Sequence, residues 1–261
     1  VPVIELSGGP VEYRRVAGSP DLPALVFLHE GLGCTATWGR FPDRVAHATG
    51  REALVYSRHG YGASGPATTP RTPRYLHDEA LETLPELLDR LGLHRPALVG
   101  HSDGASIALL HASRHPVDQV TVMAPHAFVE ARTLAGIRES IAAYAAGPLR
   151  RRLAQVHDDP DTAFTSWTGV WLSAAFREWD ITAELAGVDA PVLMVQGDHD
   201  QYGTTAQLDA VERAVRGPTR RAELSDCGHL PHVEKPEEVL GLVENFLRSR
   251  VGADDLGAGV P

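Results

Sequence analysis

The sequence predicts an α/β protein: a mostly parallel central sheet flanked by helices, with a helical lid inserted between two strands. Three observations carry this expectation. Short apolar runs of strand length recur along the chain, each closed by Gly, His or Pro. Amphipathic helical patterns separate them, as a parallel sheet covered on both faces requires. From about Phe128 to Val188 the alternation stops, and only helical pattern continues.

The strand candidates, in order, are Leu25–Leu28, Ala53–Tyr56, Ala97–Val99, Val120–Met123, Val192–Val195 and, more weakly, Arg221–Leu224. The clearest helix runs from Leu76 to Leu91, with Leu81, Leu84, Leu87, Leu88 and Leu91 on one stripe. An Ala- and Leu-rich helix follows from Ser102 to about Ser113, and a last one covers Pro236 to Arg250. Within the interruption, helical pattern covers Leu134–Ala146, Leu149–Val156, Ala163–Phe176 and Ile181–Leu185. The expected division is a core of 1–127 and 189–251, a lid of 128–188, and a small, polar tail of 252–261 that frays.

A chain of 261 residues suits a single α/β domain. Its net charge of −10 argues against nucleic acid or an anionic membrane as partner and leaves a small molecule. No apolar run reaches membrane-spanning length. The first residues show no basic region followed by an apolar core, so no signal peptide is visible, although the absent Met leaves a removed segment open. Two cysteines, Cys34 and Cys227, make a disulfide framework unlikely and a reducing cytoplasm the default expectation. Oligomeric state is not legible.

In open parallel sheets ligands sit beyond the carboxyl ends of the strands, so the chemistry is sought just after each strand. Gly100-His101-Ser102-Asp103-Gly104 leaves a strand and opens a helix. A serine on such a tight turn is lifted clear of the sheet, and bulky neighbours would clash there. Ser102 is the candidate nucleophile, and the Asp103 amide at the helix N-terminus is a candidate oxyanion donor. A hydroxyl needs a base. Of thirteen histidines, His229 alone stands in a Gly-His turn after the final strand-like run, whereas His232 is better placed to start the next element. The base needs an orienting carboxylate. The loop after Val195 offers Asp198 and Asp200; Asp200 lies further out, able to reach across, while Asp198 suits a turn cap.

These residues resemble those of the α/β-hydrolase fold superfamily, of the lidded serine esterase type. The resemblance runs from about Val11 to Arg250 and is carried by His29-Glu30-Gly31-Leu32-Gly33, Arg58-His59-Gly60-Tyr61-Gly62-Ala63-Ser64, the Gly100–Gly104 turn, Gly197-Asp198-His199-Asp200 and Gly228-His229. It implies Ser102, Asp200 and His229 as the triad, Gly31 as second oxyanion donor and a lid after the sixth strand. Glu30 departs from it, standing where similar enzymes carry Gly. A carboxylate beside an anion-stabilising site is costly unless it is paired or turned away. It is therefore expected either to turn outward towards His29 or Arg58, or to touch substrate.

Leu32, His126, Trp167 and Trp171 are further candidates for lining the pocket, with ordinary turn duty or lid packing as the alternative. Asp198, His199, Asp200, His229 and His232 resemble a metal cluster in composition but lack metal-ligand spacing, and neither metal nor organic cofactor is expected. Cys34 and Cys227 fall in loops that could approach each other; two separate buried thiols are the simpler expectation. The expected reaction is hydrolysis of a small, largely apolar carboxylic ester through an acyl-enzyme. Thioesterase, lactonase, carbon–carbon hydrolase and cofactor-free perhydrolase chemistry remain open on the same residues. A slow-turnover ligand receptor is the non-enzymatic alternative. Dehalogenase and epoxide hydrolase routes need a carboxylate where Ser102 stands.

Overall fold

The computed structural model describes residues 1–67 and 70–249; the expected tail, 252–261, lies outside the described residues. The strands are β1 (Val3–Leu6), β2 (Gly9–Val16), β3 (Leu25–Leu28), β4 (Ala53–Tyr56), β5 (Ala97–His101), β6 (Val120–Met123), β7 (Val192–Gly197) and β8 (Thr219–Leu224). They form one eight-stranded sheet in the order β1-β2-β4-β3-β5-β6-β7-β8. From β4 to β8 every pairing is parallel, and β2 runs antiparallel to both β1 and β4. Strand order reverses between β3 and β5. The loops leaving these two strands therefore diverge and open a crevice at their carboxyl ends.

Alternation along the strands divides the core. Leu25, Phe27, Val55, Val99 and Val195 face α1 (Phe41–Thr49) and the last helix, whereas Val26, Leu28, Leu54, Leu98 and Met194 face the opposite layer. That opposite layer contains α2 (Tyr75–Asp78), α3 (Leu84–Leu91) and α4 (Asp103–Ala112). The single helix expected over Leu76–Leu91 is interrupted by a π-helical turn at Glu79–Thr83. Pro85 lies at the start of α3 and brings no N–H to the regular ladder, which accounts for the local widening.

Between β6 and β7 the chain is helical: α5 (Ala131–Ala145), α6 (Pro148–Leu153) and α7 (Pro160–Trp171), followed by short 3₁₀ turns. Asp159 caps α7 by accepting from the Thr162 amide at 3.0 Å, with Pro160 at the first turn. The segment leaves and re-enters through a narrow neck, where Phe128 pairs with Asp180 and the Ile181 amide donates to the Ala127 carbonyl at 2.8 Å. After β7 come α8 (Ala206–Ala214), α9 (Pro231–Glu234) and α10 (Pro236–Arg248). Among the described residues no helix is long and apolar enough to cross a membrane.

Candidate active site

Ser102 sits between β5 and α4 with φ 53° and ψ −118°, a left-handed backbone rare for a residue with a side chain. Holding it costs on the order of 1–3 kcal/mol, offset by the packing around it. Two glycines allow the turn. A Cβ at Gly100 would lie 2.3 Å from the Gly104 carbonyl oxygen, and one at Gly104 would lie 1.9 Å from that of Leu28. α4 is thereby pressed against the end of β3.

Three distant segments converge on this hydroxyl. Ser102 Oγ lies 2.9 Å from His229 Nε2, and His229 Nδ1 lies 2.8 and 2.9 Å from the two carboxylate oxygens of Asp200. These partners assign the tautomer: Nδ1–H donates to Asp200, and Nε2 accepts from the Ser102 hydroxyl. Asp200 is almost wholly buried. It also accepts from Gln196 Nε2 at 2.6 Å and from the Tyr202 and Gly203 amides at 2.7 and 3.3 Å. Burial opposes its charge, but the His229 ring and these donors hold its pKa below the ordinary carboxylate value. Asp198 stays outside the line and accepts from the Cys227 amide. His232 is buried against Trp38, Phe41 and His101, where desolvation pushes its pKa down to about 3.

The loop after β3 is clamped from several sides. Arg58, itself buried, donates from Nη2 to the Glu30 carbonyl at 2.8 Å and from its amide to His29 Nε2 at 3.0 Å. His29 Nδ1 donates to the same Glu30 carbonyl at 2.7 Å. From the inserted segment, His157 accepts from the Gly62 amide at 2.8 Å and donates to the Leu32 carbonyl at 2.9 Å. Gly31 lies beneath Trp167, whose Nε1 would be 2.2 Å from a Cβ there. The Asp103 amide, at the first position of α4, has no carbonyl partner within its helix. Gly31 and Asp103 both border the space beside Ser102.

The Glu30 side chain corrects one expectation. It turns towards neither His29 nor Arg58; its carbonyl serves both of those residues. The carboxylate folds over Gly33, where a Cβ would lie 2.3 Å from Oε2, and reaches to 3.6 Å from His101 Nδ1. His101 Nε2 donates to the His229 carbonyl at 2.6 Å. His101 Nδ1 has no hydrogen-bond partner among the described residues, and the carboxylate faces it across the 3.6 Å gap as a longer electrostatic contact. Burial disfavours the Glu30 anion, yet the adjoining His101 imidazole holds its carboxyl well below the usual range. Glu30 therefore tethers the β3 loop to the His229 loop.

A cavity of about 210 Å³ opens over Ser102. Glu30, Gly31, Leu32, His126, Trp167 and Trp171 line it, with Ile137, Leu149, Arg152, Tyr202 and Leu230. Sequence reasoning left Gln196, Tyr75 and Arg132 without roles and gave Arg58 only as a possible partner for the Glu30 side chain. Trp171 Nε1 donates to the Tyr75 hydroxyl at 2.8 Å, and that hydroxyl donates to Asp103 Oδ2 at 2.7 Å. Arg132 Nε donates to the Asp200 carbonyl at 2.6 Å, fixing α5 to the Asp200 loop. Only the Arg58 motif was conspicuous in the sequence; the other three act through contacts that no spacing reveals. Cys34 and Cys227 are free buried thiols in different apolar clusters. Among the described residues no group of three His, Cys, Asp or Glu side chains is arranged to hold a metal ion.

A profile of the Alpha/beta hydrolase family matches residues 25–242. An sn-1-specific diacylglycerol lipase of Mus musculus is 24% identical over 91% of this chain and 85% of its own length. A 2-succinyl-6-hydroxy-2,4-cyclohexadiene-1-carboxylate synthase of an Enterobacter species is 26% identical over 90% of this chain and 95% of its own. The crystal structure of the enol-lactonase from Burkholderia xenovorans superposes with a TM-score of 0.75 at 21% identity, covering 95% of this chain and 100% of that one.

Proposed function

The chain belongs to the alpha/beta hydrolase family, and from that premise we propose that it is a serine hydrolase cleaving a small, largely apolar carboxylic ester. One observation carries the reading: a strained Ser102 hydroxyl 2.9 Å from an imidazole whose other nitrogen is 2.8 Å from a buried carboxylate. In the proposed reaction Ser102 Oγ attacks the acyl carbon while its proton passes to His229 Nε2. Asp200 holds the ring and stabilises the imidazolium. The amides of Gly31 and Asp103 receive the oxyanion, each worth about a hundredfold or more in rate. His229 protonates the departing alcohol, and a water, deprotonated by His229 in turn, releases the acid from the acyl-enzyme.

The inserted segment 128–188 serves as a lid over this site; the apolar Ile137, Leu149, Trp167 and Trp171 in the cavity wall support both that role and an apolar acyl group. The volume, about 210 Å³, supports a short chain. Two free buried thiols support work in a reducing cytoplasm, with a small molecule as partner. The test is a panel of p-nitrophenyl esters of graded acyl length. Wild-type protein is expected to turn over short chains best, and Ser102→Ala none. Undiminished hydrolysis by that variant would remove the reading.

A further inference from the structure

His126 is a buried imidazole that the proposed reaction does not use. It stands just beyond β6, 2% exposed, in the wall of the cavity over Ser102. Its ring meets Trp171 edge-on at 5.2 Å and lies 6.0 Å from the His229 ring, centroid to centroid. The His126 carbonyl and the amide that follows it are both engaged. The Ser106 hydroxyl donates to the His126 carbonyl at 2.6 Å, and the next amide, of Ala127, donates to Gln207 at 2.7 Å. The ring is not. Nδ1 is buried without a hydrogen-bond partner among the described residues, and Nε2 bonds to none of them either.

A buried polar group left unfilled costs folding free energy, and an apolar side chain of similar size would pack against Trp171 without that cost. Burial, reinforced by the nearby His229, pushes the His126 pKa down to about 4. At neutral pH the ring is therefore uncharged, with one N–H donor and one acceptor nitrogen. Such a ring suits a hydroxyl or a carbonyl oxygen and offers no charge to bind an anion.

Resting on the serine-hydrolase reading, we propose that His126 binds a hydroxyl or keto oxygen on the acyl chain of the substrate. The ring and the Ser102 hydroxyl line the same cavity, so an acyl chain held at Ser102 lies within the space that the imidazole borders. The substrate is then an oxygenated acyl ester rather than a plain alkyl one.

The experiment compares kcat/KM for p-nitrophenyl 3-hydroxybutanoate and 4-oxopentanoate with that for p-nitrophenyl butanoate and pentanoate. Wild-type protein is expected to favour the oxygenated chains by about threefold to tenfold, one neutral hydrogen bond's worth. His126→Leu is expected to abolish that ratio, and His126→Gln, with its own donor and acceptor, to restore part of it. A wild-type ratio of one or less, or an unchanged ratio in the Leu variant, overturns the inference. If the Leu variant does not fold by circular dichroism, the wild-type ratio and the Gln variant decide. Labelling of Ser102 by a fluorophosphonate separates the two readings. Cleavage of all four esters without preference, with Ser102 labelled, overturns this inference alone. No cleavage and no labelling overturns the hydrolase reading and this inference together.

Discussion

Replacing Asp200 with Asn leaves the shape of the site intact and removes one charge. The carboxylate accepts from four groups: His229 Nδ1, Gln196 Nε2 and the amides of Tyr202 and Gly203. An amide presents one oxygen and one NH₂. The oxygen can keep the two backbone amides. Gln196, whose Oε1 has no partner among the described residues, can rotate its own amide to accept from the new NH₂. His229 is left facing a neutral group that no longer fixes its tautomer. The stability cost is then one charge-assisted hydrogen bond, about 1.5–3 kcal/mol. For a domain of this size that corresponds to a fall in Tm of roughly 3–12 °C. Turnover depends on tautomer and charge together and is expected to drop by about 10⁴. The folded-state pKa of Asp200 lies below its unfolded value. Its stabilisation is therefore complete above about pH 4 and is lost as pH falls through the folded value. Thermal melts of wild type and variant should differ by a constant amount from neutral pH down to about pH 5 and converge in stronger acid. Retention of more than about a tenth of wild-type kcat, or a melting gap that widens on acidification, would refute the reasoning.

Further substitutions probe the supports. Gly104→Ala forces a Cβ to 1.9 Å from the Leu28 carbonyl oxygen and should prevent native folding, as read by circular dichroism; Gly92→Ala, at φ 66° in open space, should cost only about 1–2 kcal/mol. Glu30→Ala removes the charge beside His101 and is expected to lower kcat/KM by about tenfold, whereas Glu30→Gln, which keeps the shape and a polar group facing Nδ1, should recover most of it. Equal losses in both variants would contradict a tether between the two loops. Trp171→Phe keeps the aromatic wall but breaks the bond to Tyr75, and should lower stability by about 0.5–1.5 kcal/mol in a urea titration.

Legibility followed burial. β3, β4, β5 and β6 read plainly because sheet and helices bury them on both faces, leaving uninterrupted apolar runs. β1 and β2 did not, because they form an antiparallel edge with mixed exposure and no apolar run. Ser102, His229 and Asp200 stood out because each follows a strand at a Gly-containing turn, a local pattern with a backbone cause. Gln196 and Tyr75 looked like ordinary strand and helix residues, since their partners lie in other segments or around a loop. Glu30 was conspicuous as an oddity, but its partner His101, 71 positions away as the residue numbers give it, could be found only in three dimensions.

The proposed reaction requires covalent chemistry at one hydroxyl, that of Ser102. Intact-mass and peptide mass spectrometry after exposure to a fluorophosphonate measures it most directly. A single adduct on the peptide containing Ser102 is expected, absent from Ser102→Ala and slowed strongly in His229→Ala. Labelling at another residue, or none while nitrophenyl esters are still cleaved, would contradict it.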